Sequence, residues 1–458
     1  MTGLGSSLQS LQELFDSNAT LSYEFRRQQL ENLKKAIEKY EDEINTALKK
    51  DLGKSKEESW ATEIGLLMAE IKLILKNLRK WMRPEKVSAG LITFPSTGKI
   101  YHDPLGVVLI ISPWNYPLQL LLTPLVGAIA GGNCIVLKPS ELAPATEKVI
   151  QKIIEETFPG NYIRVVTGEG ADVVPRMIHD FRFAHIFYTG STGVGKEVYK
   201  MAAKDLVPVT LELGGKSPCI VYEDADLEVA AKRIVLGKFL NAGQTCIAPD
   251  YILIQEPVRE RLLAELKNAI QKFYSEDAMK SSDYGKIINQ SRFKKLKSYL
   301  SEAYIFYGGK TNDENLYIEP TILVDNSMDD PVMNEEIFGP ILPVLSFAKT
   351  EDAMQMVKQN ENPLALYLFT KNKTIEEEWV KKVPFGGGCI NNAVWQFAVE
   401  AFPFGGIGNS GIGAYHGKNS FNLFTHAKPV LKTGTWLDPS LKYPPFKGKL
   451  RWFKKLLG

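Results

Sequence analysis

The run Gly106-Val107-Val108-Leu109-Ile110-Ile111-Ser112-Pro113-Trp114-Asn115-Tyr116-Pro117 decides how the chain is read. Its first half is a short, unbroken apolar run of the kind that forms a strand buried on both faces. A strand with one wet face would alternate apolar and polar residues instead. Cys134-Ile135-Val136-Leu137, Ile163-Arg164-Val165-Val166 and Ala184-His185-Ile186-Phe187-Tyr188 repeat the texture. Between these runs lie segments with helical patterning: Leu118 to Ala130, Pro144 to Glu156, Asp172 to Ile178 and Gly193 to Lys204. Strands alternating with helices predict an α/β fold with a parallel, doubly wound sheet. Such sheets bind ligands in the crevice at the carboxyl ends of their strands, where Ser112 to Pro117 falls.

Upstream, Leu8, Leu11, Leu14 and Phe15, then Leu30, Leu33, Ile37, Ile44 and Leu48, recur at helical spacing. Asp51-Leu52-Gly53-Lys54 reads as a helix stop, and a further helix spans Glu58 to Trp81. From 84 to 101 the pattern turns to short β-like runs, Leu91-Ile92-Thr93-Phe94 and Lys99-Ile100-Tyr101. Downstream, Asp226 to Leu240 and Val258 to Phe273 read as helices. Ser217 to Val221, Tyr251 to Ile254 and Thr321 to Val324 read as strands, with Gly-rich loops at 386–388 and 405–413.

Composition excludes several function classes. The 458 residues are 44% hydrophobic and 24% charged, enough for two or three domains with cores of their own. With 55 basic and 53 acidic residues, no global field draws the chain to nucleic acid. Four scattered cysteines without a CxxC pair, and five histidines, give neither a disulfide framework nor a metal site, and fit a reducing cytosol. The polar opening Met1 to Ser10 does not read as a signal peptide, and no apolar run reaches the ~20 residues of a membrane span.

Several motifs carry chemistry. In Asn241-Ala242-Gly243-Gln244-Thr245-Cys246-Ile247-Ala248-Pro249, a cysteine follows the end of a helix on irregular backbone, where its side chain faces a cleft. Cys246 reads as a nucleophile. Glu212, between Leu211 and Leu213 and before Gly214-Gly215, is a carboxylate among apolar residues. It is either a general base or a structural glutamate bonded to backbone N–H groups. Asn115 at a strand end is either an oxyanion donor or a turn asparagine between two prolines. Lys138 and Glu141 are either ligands of a nucleotide ribose or a surface charge pair. Tyr188-Thr189-Gly190-Ser191-Thr192-Gly193-Val194-Gly195 places a Gly/Ser turn between a strand and a helix, a context suited to a dinucleotide phosphate although the spacing is not GxGxxG. Glu336 and Phe338 share a face if their segment is extended, one for ribose hydroxyls and one for a flat ring. Cys134, Cys219 and Cys389 read as small core residues.

Taken in order, SPWNYP, KPSE, YTGSTGVG, VTLELGGKSP, GQTCIAP, EEIFGP and PFGGIGNSG make the chain resemble the NAD(P)-dependent aldehyde dehydrogenases over nearly its whole length. The 34 residues from Glu212 to Cys246 match that family's spacing. The run Gly411 to Phe421 is similar to the class 3 branch, which acts on fatty or aromatic aldehydes and tends to form dimers. The resemblance implies a Rossmann-type cofactor domain (1–83 and 102–211), an α/β catalytic domain (212–424) and a small β oligomerisation arm (84–101 and 425–440), followed by a basic-aromatic tail (441–458). It implies Cys246 as nucleophile, Glu212 as base and Asn115 as oxyanion donor. Trp114, Lys138, Glu141, Gly190 to Gly195 (with Ser191, Thr192, Gly193 and Val194), Glu336 and Phe338 are the implied cofactor residues, and no metal is implied. The cofactor is NAD, with NADP also accepted, because Glu141 disfavours a 2′-phosphate yet can rotate away.

The chain departs from the class 3 pattern at 391–402, which reads Asn391-Asn392-Ala393-Val394-Trp395-Gln396-Phe397-Ala398-Val399-Glu400-Ala401-Phe402. Trp395, Phe397 and Phe402 there are either pocket or core. The cysteine and glutamate alone also fit a cofactor-independent thiol acyltransferase or esterase, or a relative that kept only the fold. The expected partners are a small aldehyde and a second copy of the chain, with no nucleic acid. The expected location is the cytoplasm. The tail, where Leu450, Trp452, Phe453, Leu456 and Leu457 alternate with Lys449, Arg451, Lys454 and Lys455, is suited either to weak peripheral contact with an anionic membrane or to packing on the partner subunit.

Overall fold

A computed structural model of the chain describes residues 3–301, 303–360 and 362–457. The side chains of residues 3–6, 456 and 457 lie outside those described, and with them the tail's Leu456 and Leu457.

The strand Val107–Ile111 is fully buried and sits inside a six-stranded sheet, as its unbroken apolar run requires. Cys134–Lys138 and His185–Thr189 pair with it in parallel on either side. Ile163–Val165 and Val209–Glu212 extend the sheet, also in parallel. The last strand, Gly411–Ile412, comes from far along the chain and runs antiparallel to Glu212 and Leu211. Helices cover the sheet. Among them, Gln119–Gly131 is buried at every residue, so it lies in the middle of the core.

The N-terminal helices follow the apolar spacing, at Tyr23–Lys39, Glu41–Leu52 and Gly65–Trp81. The helix expected over Glu58 to Trp81 is interrupted by a π-helical turn, Trp60–Ile64. That extra residue per turn brings Thr62 and Glu63 inward together. Tyr415, Phe421 and Phe424, late in the chain, pack into this first core.

The second sheet has seven strands, in the order Tyr304–Tyr307, Thr321–Val324, Ile341–Phe347, Tyr251–Gln255, Pro218–Val221, Ala365–Phe369 and Gly387–Ile390. All its neighbours pair in parallel except the first two. Residues 387 and 388, expected in a loop, are therefore part of an edge strand. Glycine is needed there because a Cβ on Gly388 would stand 2.2 Å from the Leu366 carbonyl oxygen.

A third sheet joins Glu85–Val87, Ser96–Pro104 and Thr425–Thr433, all antiparallel. The β-like run Leu91 to Phe94 does not join it. Leu91–Thr93 is a 3-10 turn, because these side chains are largely exposed and no strand among the described residues pairs with them.

Candidate active site

The helix Leu227–Phe239 starts at Asp226, whose carboxylate accepts the Val229 N–H at 3.1 Å. It ends at Leu240, and Asn241, Ala242 and Gly243 then follow in left-handed conformation (φ 53°, 51° and 75°). Only glycine fits the third position, since a Cβ on Gly243 would lie 2.3 Å from the Gly339 carbonyl oxygen. This sharp reversal delivers Cys246, half-buried, to a point where two cavities meet.

One cavity is a cleft along the carboxyl ends of the first sheet. Glu212 ends the strand Val209–Glu212 and faces this cleft. It is 2% exposed, and among the described residues neither carboxylate oxygen has a hydrogen-bond partner. The structural alternative, a glutamate bonded to backbone N–H groups, is therefore not what the fold builds. Burial alone raises the Glu212 carboxyl well above the usual range and so favours its neutral form. Asn115 is also buried in this wall. Its Nδ2 donates to the Gln244 carbonyl at 3.0 Å and its Oδ1 is unpartnered. Burial, together with the charges of Glu336 and Glu212, pushes the Cys246 thiol up to about 12. The resting cleft thus holds a thiol, and the thiolate is a state to be formed.

The same cleft gathers Trp114, Gly190, Ser191, Thr192, Glu336 and Phe338. Ser191 caps the helix Thr192–Ala203, accepting from the Val194 N–H. Phe338 meets Trp114 edge to face at 5.3 Å. Phe338 reaches the cleft by a different route from the extended segment expected, because its own φ is 49°. Glu336 is half-buried, and burial beside Asp250 raises it to about 8 against the pull of a Gly215 N–H. Its carboxylate occupies the space beside Gly214, where a Cβ would lie 1.9 Å from Oε2.

Lys138 and Glu141 stand apart from the cleft lining. Lys138 is buried and donates to Glu141 at 2.9 Å, and the Gly170 N–H donates to the other carboxylate oxygen at 3.1 Å. Burial acts to raise Glu141, but these partners outweigh it and hold the carboxyl below its usual range. Gly193, Val194 and Gly195 also lie outside the lining, further along the capped helix.

These residues fit a dinucleotide. The cleft has a capped helix N-terminus beside a small-residue turn, an aromatic pair and a carboxylate. It also holds the buried, unpartnered Thr189 hydroxyl, which waits for a donor or acceptor.

The second cavity opens on the other side of Cys246. Tyr116, Leu120, Leu236, Trp395 and Phe397 line it, and no charged side chain among the described residues does. Trp395 and Phe397 are therefore pocket, whereas Phe402 lines a neighbouring hollow. The 391–402 segment is tied to the cysteine turn through Gln396. Its Nε2 donates to the Tyr367 hydroxyl at 3.0 Å, and Tyr367 donates to the Ile247 carbonyl at 2.5 Å. Cys389 belongs to this chain of contacts. It is half-buried and donates to Gln396 Oε1 at 2.9 Å, so it is not the simple core residue expected.

Sequence reading missed Arg292, which lines the cleft and donates to the Ile337 carbonyl, and His416, which stacks on Phe404. Arg292 lies in the short basic helix Gln290–Ser298, whose charges alone mark no site, and its only signal is the Asn289 cap just before it. The buried Tyr415 hydroxyl, unpartnered and close enough to Glu212 and Cys246 to feel both charges, gave no signal beyond its place in the Gly411 to Phe421 run.

The family model of the aldehyde dehydrogenase family matches residues 6–430. The chain is 45% identical over 442 residues to 4,4′-diaponeurosporen-aldehyde dehydrogenase of Staphylococcus aureus, covering 96% of each. It is 42% identical to the rat protein named aldehyde dehydrogenase, dimeric NADP-preferring, covering 98% of this chain and 99% of that one. A substrate-bound Staphylococcus aureus AldH structure superposes with a TM-score of 0.98 at 43% identity, covering all of both chains.

Proposed function

The chain belongs to the aldehyde dehydrogenase family and oxidises an aldehyde to the carboxylic acid with NAD or NADP; from that premise we propose the following roles for its residues. Cys246 is the nucleophile, and as a thiolate its sulfur adds to the aldehyde carbon. The oxyanion of that thiohemiacetal is stabilised by the Asn115 amide and the Cys246 backbone N–H. When bound, the nicotinamide dinucleotide supplies the acceptor for the hydride that leaves this carbon. The acyl group then remains on Cys246 as a thioester. Glu212, once ionised, takes a proton from water, the water oxygen adds to the thioester carbon, and the acid departs as the thiolate re-forms.

Trp114, Gly190, Ser191, Thr192, Glu336 and Phe338 would hold the dinucleotide in the cleft. Gly193, Val194 and Gly195 would shape the turn and helix behind it. Lys138 and Glu141 would meet its adenine-side ribose. A fixed Glu141 carboxylate repels a 2′-phosphate, so NAD is the preferred acceptor and NADP is also accepted.

The position of Cys246 between a polar cleft and an uncharged cavity carries this reading. The cavity suits a medium- or long-chain aliphatic or an aromatic aldehyde, each buried methylene contributing ~0.8 kcal/mol. The test is kcat/KM over aldehydes of increasing chain length with each cofactor, alongside the Cys246→Ala variant. Rising kcat/KM with chain length, and loss of turnover with cofactor fluorescence binding intact in Cys246→Ala, support it. A preference for short polar aldehydes overturns the substrate class, and residual turnover in Cys246→Ala overturns the nucleophile.

The assembly proposed is a homodimer through the arm sheet, supported by exposed Val430, Leu431 and Trp436 along and just after its edge strand. Light scattering tests it, with Val430→Asp/Leu431→Asp expected to give a monomer. The enzyme is placed in the cytoplasm. The tail helix Leu450–Leu457 exposes Leu450 and Trp452 beside Lys454 and Lys455, which suits weak contact with an anionic bilayer. No helix among the described residues is long and apolar enough to cross a membrane. Co-sedimentation with phosphatidylserine vesicles, with and without residues 447–458, separates membrane contact from contact with the partner subunit.

A further inference from the structure

The turn before Cys246 is braced by one side chain that the reaction scheme leaves unused. Asn241 is 1% exposed, although it sits in left-handed backbone beside an alanine in the same state. Its Nδ2 donates to two carbonyl oxygens, that of Asn115 at 2.8 Å and that of Gln244 at 3.1 Å. These belong to different cores and different parts of the chain. Asn115 follows a strand of the first sheet, and Gln244 stands two residues before the nucleophile.

The surrounding bonds fix both ends of this brace. The Gln244 carbonyl also accepts from Asn115 Nδ2, so a single oxygen orients the amide. The Gln244 side chain is pinned by donating to the Asn241 and Lys286 carbonyls and accepting from the Ile288 N–H. The Asn241 backbone N–H donates to Glu58 at 2.8 Å. The Asn115 carbonyl further accepts from Lys54, itself paired with Glu63 at 2.6 Å where both are buried. Left-handed backbone at two residues that carry a Cβ persists only where its surroundings over-determine it, and such positions cluster at functional sites. Here the surroundings converge on the Asn115 amide and on the Gln244 peptide two residues before Cys246.

We propose that Asn241 is a positioning residue, whose side-chain amide ties the Asn115 carbonyl to the Gln244 carbonyl and thereby holds the Asn115 amide at its working distance from Cys246. The inference rests on the oxyanion role proposed for Asn115. An error of ~1 Å in such a placement costs ~10²-fold in rate.

The test is a double-mutant cycle of Asn115→Ala and Asn241→Gly, with kcat, KM, cofactor Kd by fluorescence and thermal melting measured for all four proteins. Glycine keeps the left-handed backbone and removes only the amide. Asn241→Gly alone is expected to lower kcat by ~10- to 100-fold with cofactor Kd unchanged. In the Asn115→Ala background it is expected to cost less than ~3-fold, because nothing remains to be positioned. Multiplicative losses, an unchanged kcat, or a parallel fall in cofactor affinity overturns the proposal while leaving Asn115 in its role. An unchanged kcat in Asn115→Ala overturns the role of Asn115 first and this inference with it. If Asn241→Gly loses its cooperative melt, Asn241→Asp, near-isosteric and without N–H donors, takes its place in the cycle. Loss of the melt in both variants assigns Asn241 a purely structural part and overturns the proposal.

Discussion

The two cavities that meet at Cys246 are built on opposite principles. In the polar cleft, Glu212 carries two unpartnered oxygens, and Asn115 Oδ1 and the Thr189 hydroxyl are unpartnered as well. In the apolar cavity, Leu120, Leu236, Trp395 and Phe397 present no unmet polar demand. Desolvated polar groups without partners cost stability, of order 1–3 kcal/mol each, and a fold keeps them where bound groups or developing charge will use them. The apolar wall makes no such sacrifice, and its part in the proposed scheme is recognition. The contrast teaches where a substitution should change chemistry and where it should change choice.

Asn115→Ala should break the polar side most clearly. Removing an oxyanion donor lowers kcat by ~10²–10³, so kcat should fall in that range while cofactor Kd holds. Widening the apolar side by Phe397→Ala should lower kcat/KM for long aldehydes by ~10- to 200-fold and leave short ones little changed, as a chain-length series reads. A uniform loss across the series would erase the distinction between the two walls.

pH should separate the walls further. In the proposed cycle Cys246 acts as thiolate and Glu212 as carboxylate, and burial holds both pKa values up. Both active forms therefore gain as pH rises, so kcat should climb toward alkaline pH, while the ranking of aldehydes by chain length stays fixed. A flat kcat profile between pH 6 and ~9 would contradict the raised values. The smallest effect belongs to Glu141. Glu141→Ala should raise NADP use relative to NAD by several-fold to about tenfold, roughly the weight of one partly screened charge.

The first sheet was legible because its strands are buried on both faces, and unbroken apolar runs such as Val107 to Ile111 and Cys134 to Leu137 say so directly. The second was legible only in part. Gly387–Ile390 is a strand whose glycines are chosen for close approach, so the sequence carries a loop's signature at an edge strand's position. Leu91 to Phe94 misled in the other direction, since apolar residues without a partner strand made a turn.

At the site, an isolated Glu212 among leucines announced a desolvated carboxyl, and the structure placed it unpartnered in the cleft. Glu336 and Phe338 reached that cleft too, but through left-handed backbone at Phe338 that the spacing did not reveal. The brace at Asn241 was illegible. Its two acceptors are backbone carbonyls, one of them 126 residues away, and carbonyls leave no mark in a sequence.

In the proposed cycle Cys246 is acylated on the cavity side and released by Glu212 on the cleft side. Rapid mixing of Glu212→Gln with cofactor and a long-chain aldehyde tests it most directly, by following the first turnover of reduced cofactor. The expected result is a burst approaching one equivalent per active site, then a steady rate lower than the wild-type rate by ~10²-fold or more. A burst that disappears in step with the steady rate would contradict it, because Glu212 would then be needed before the thioester forms.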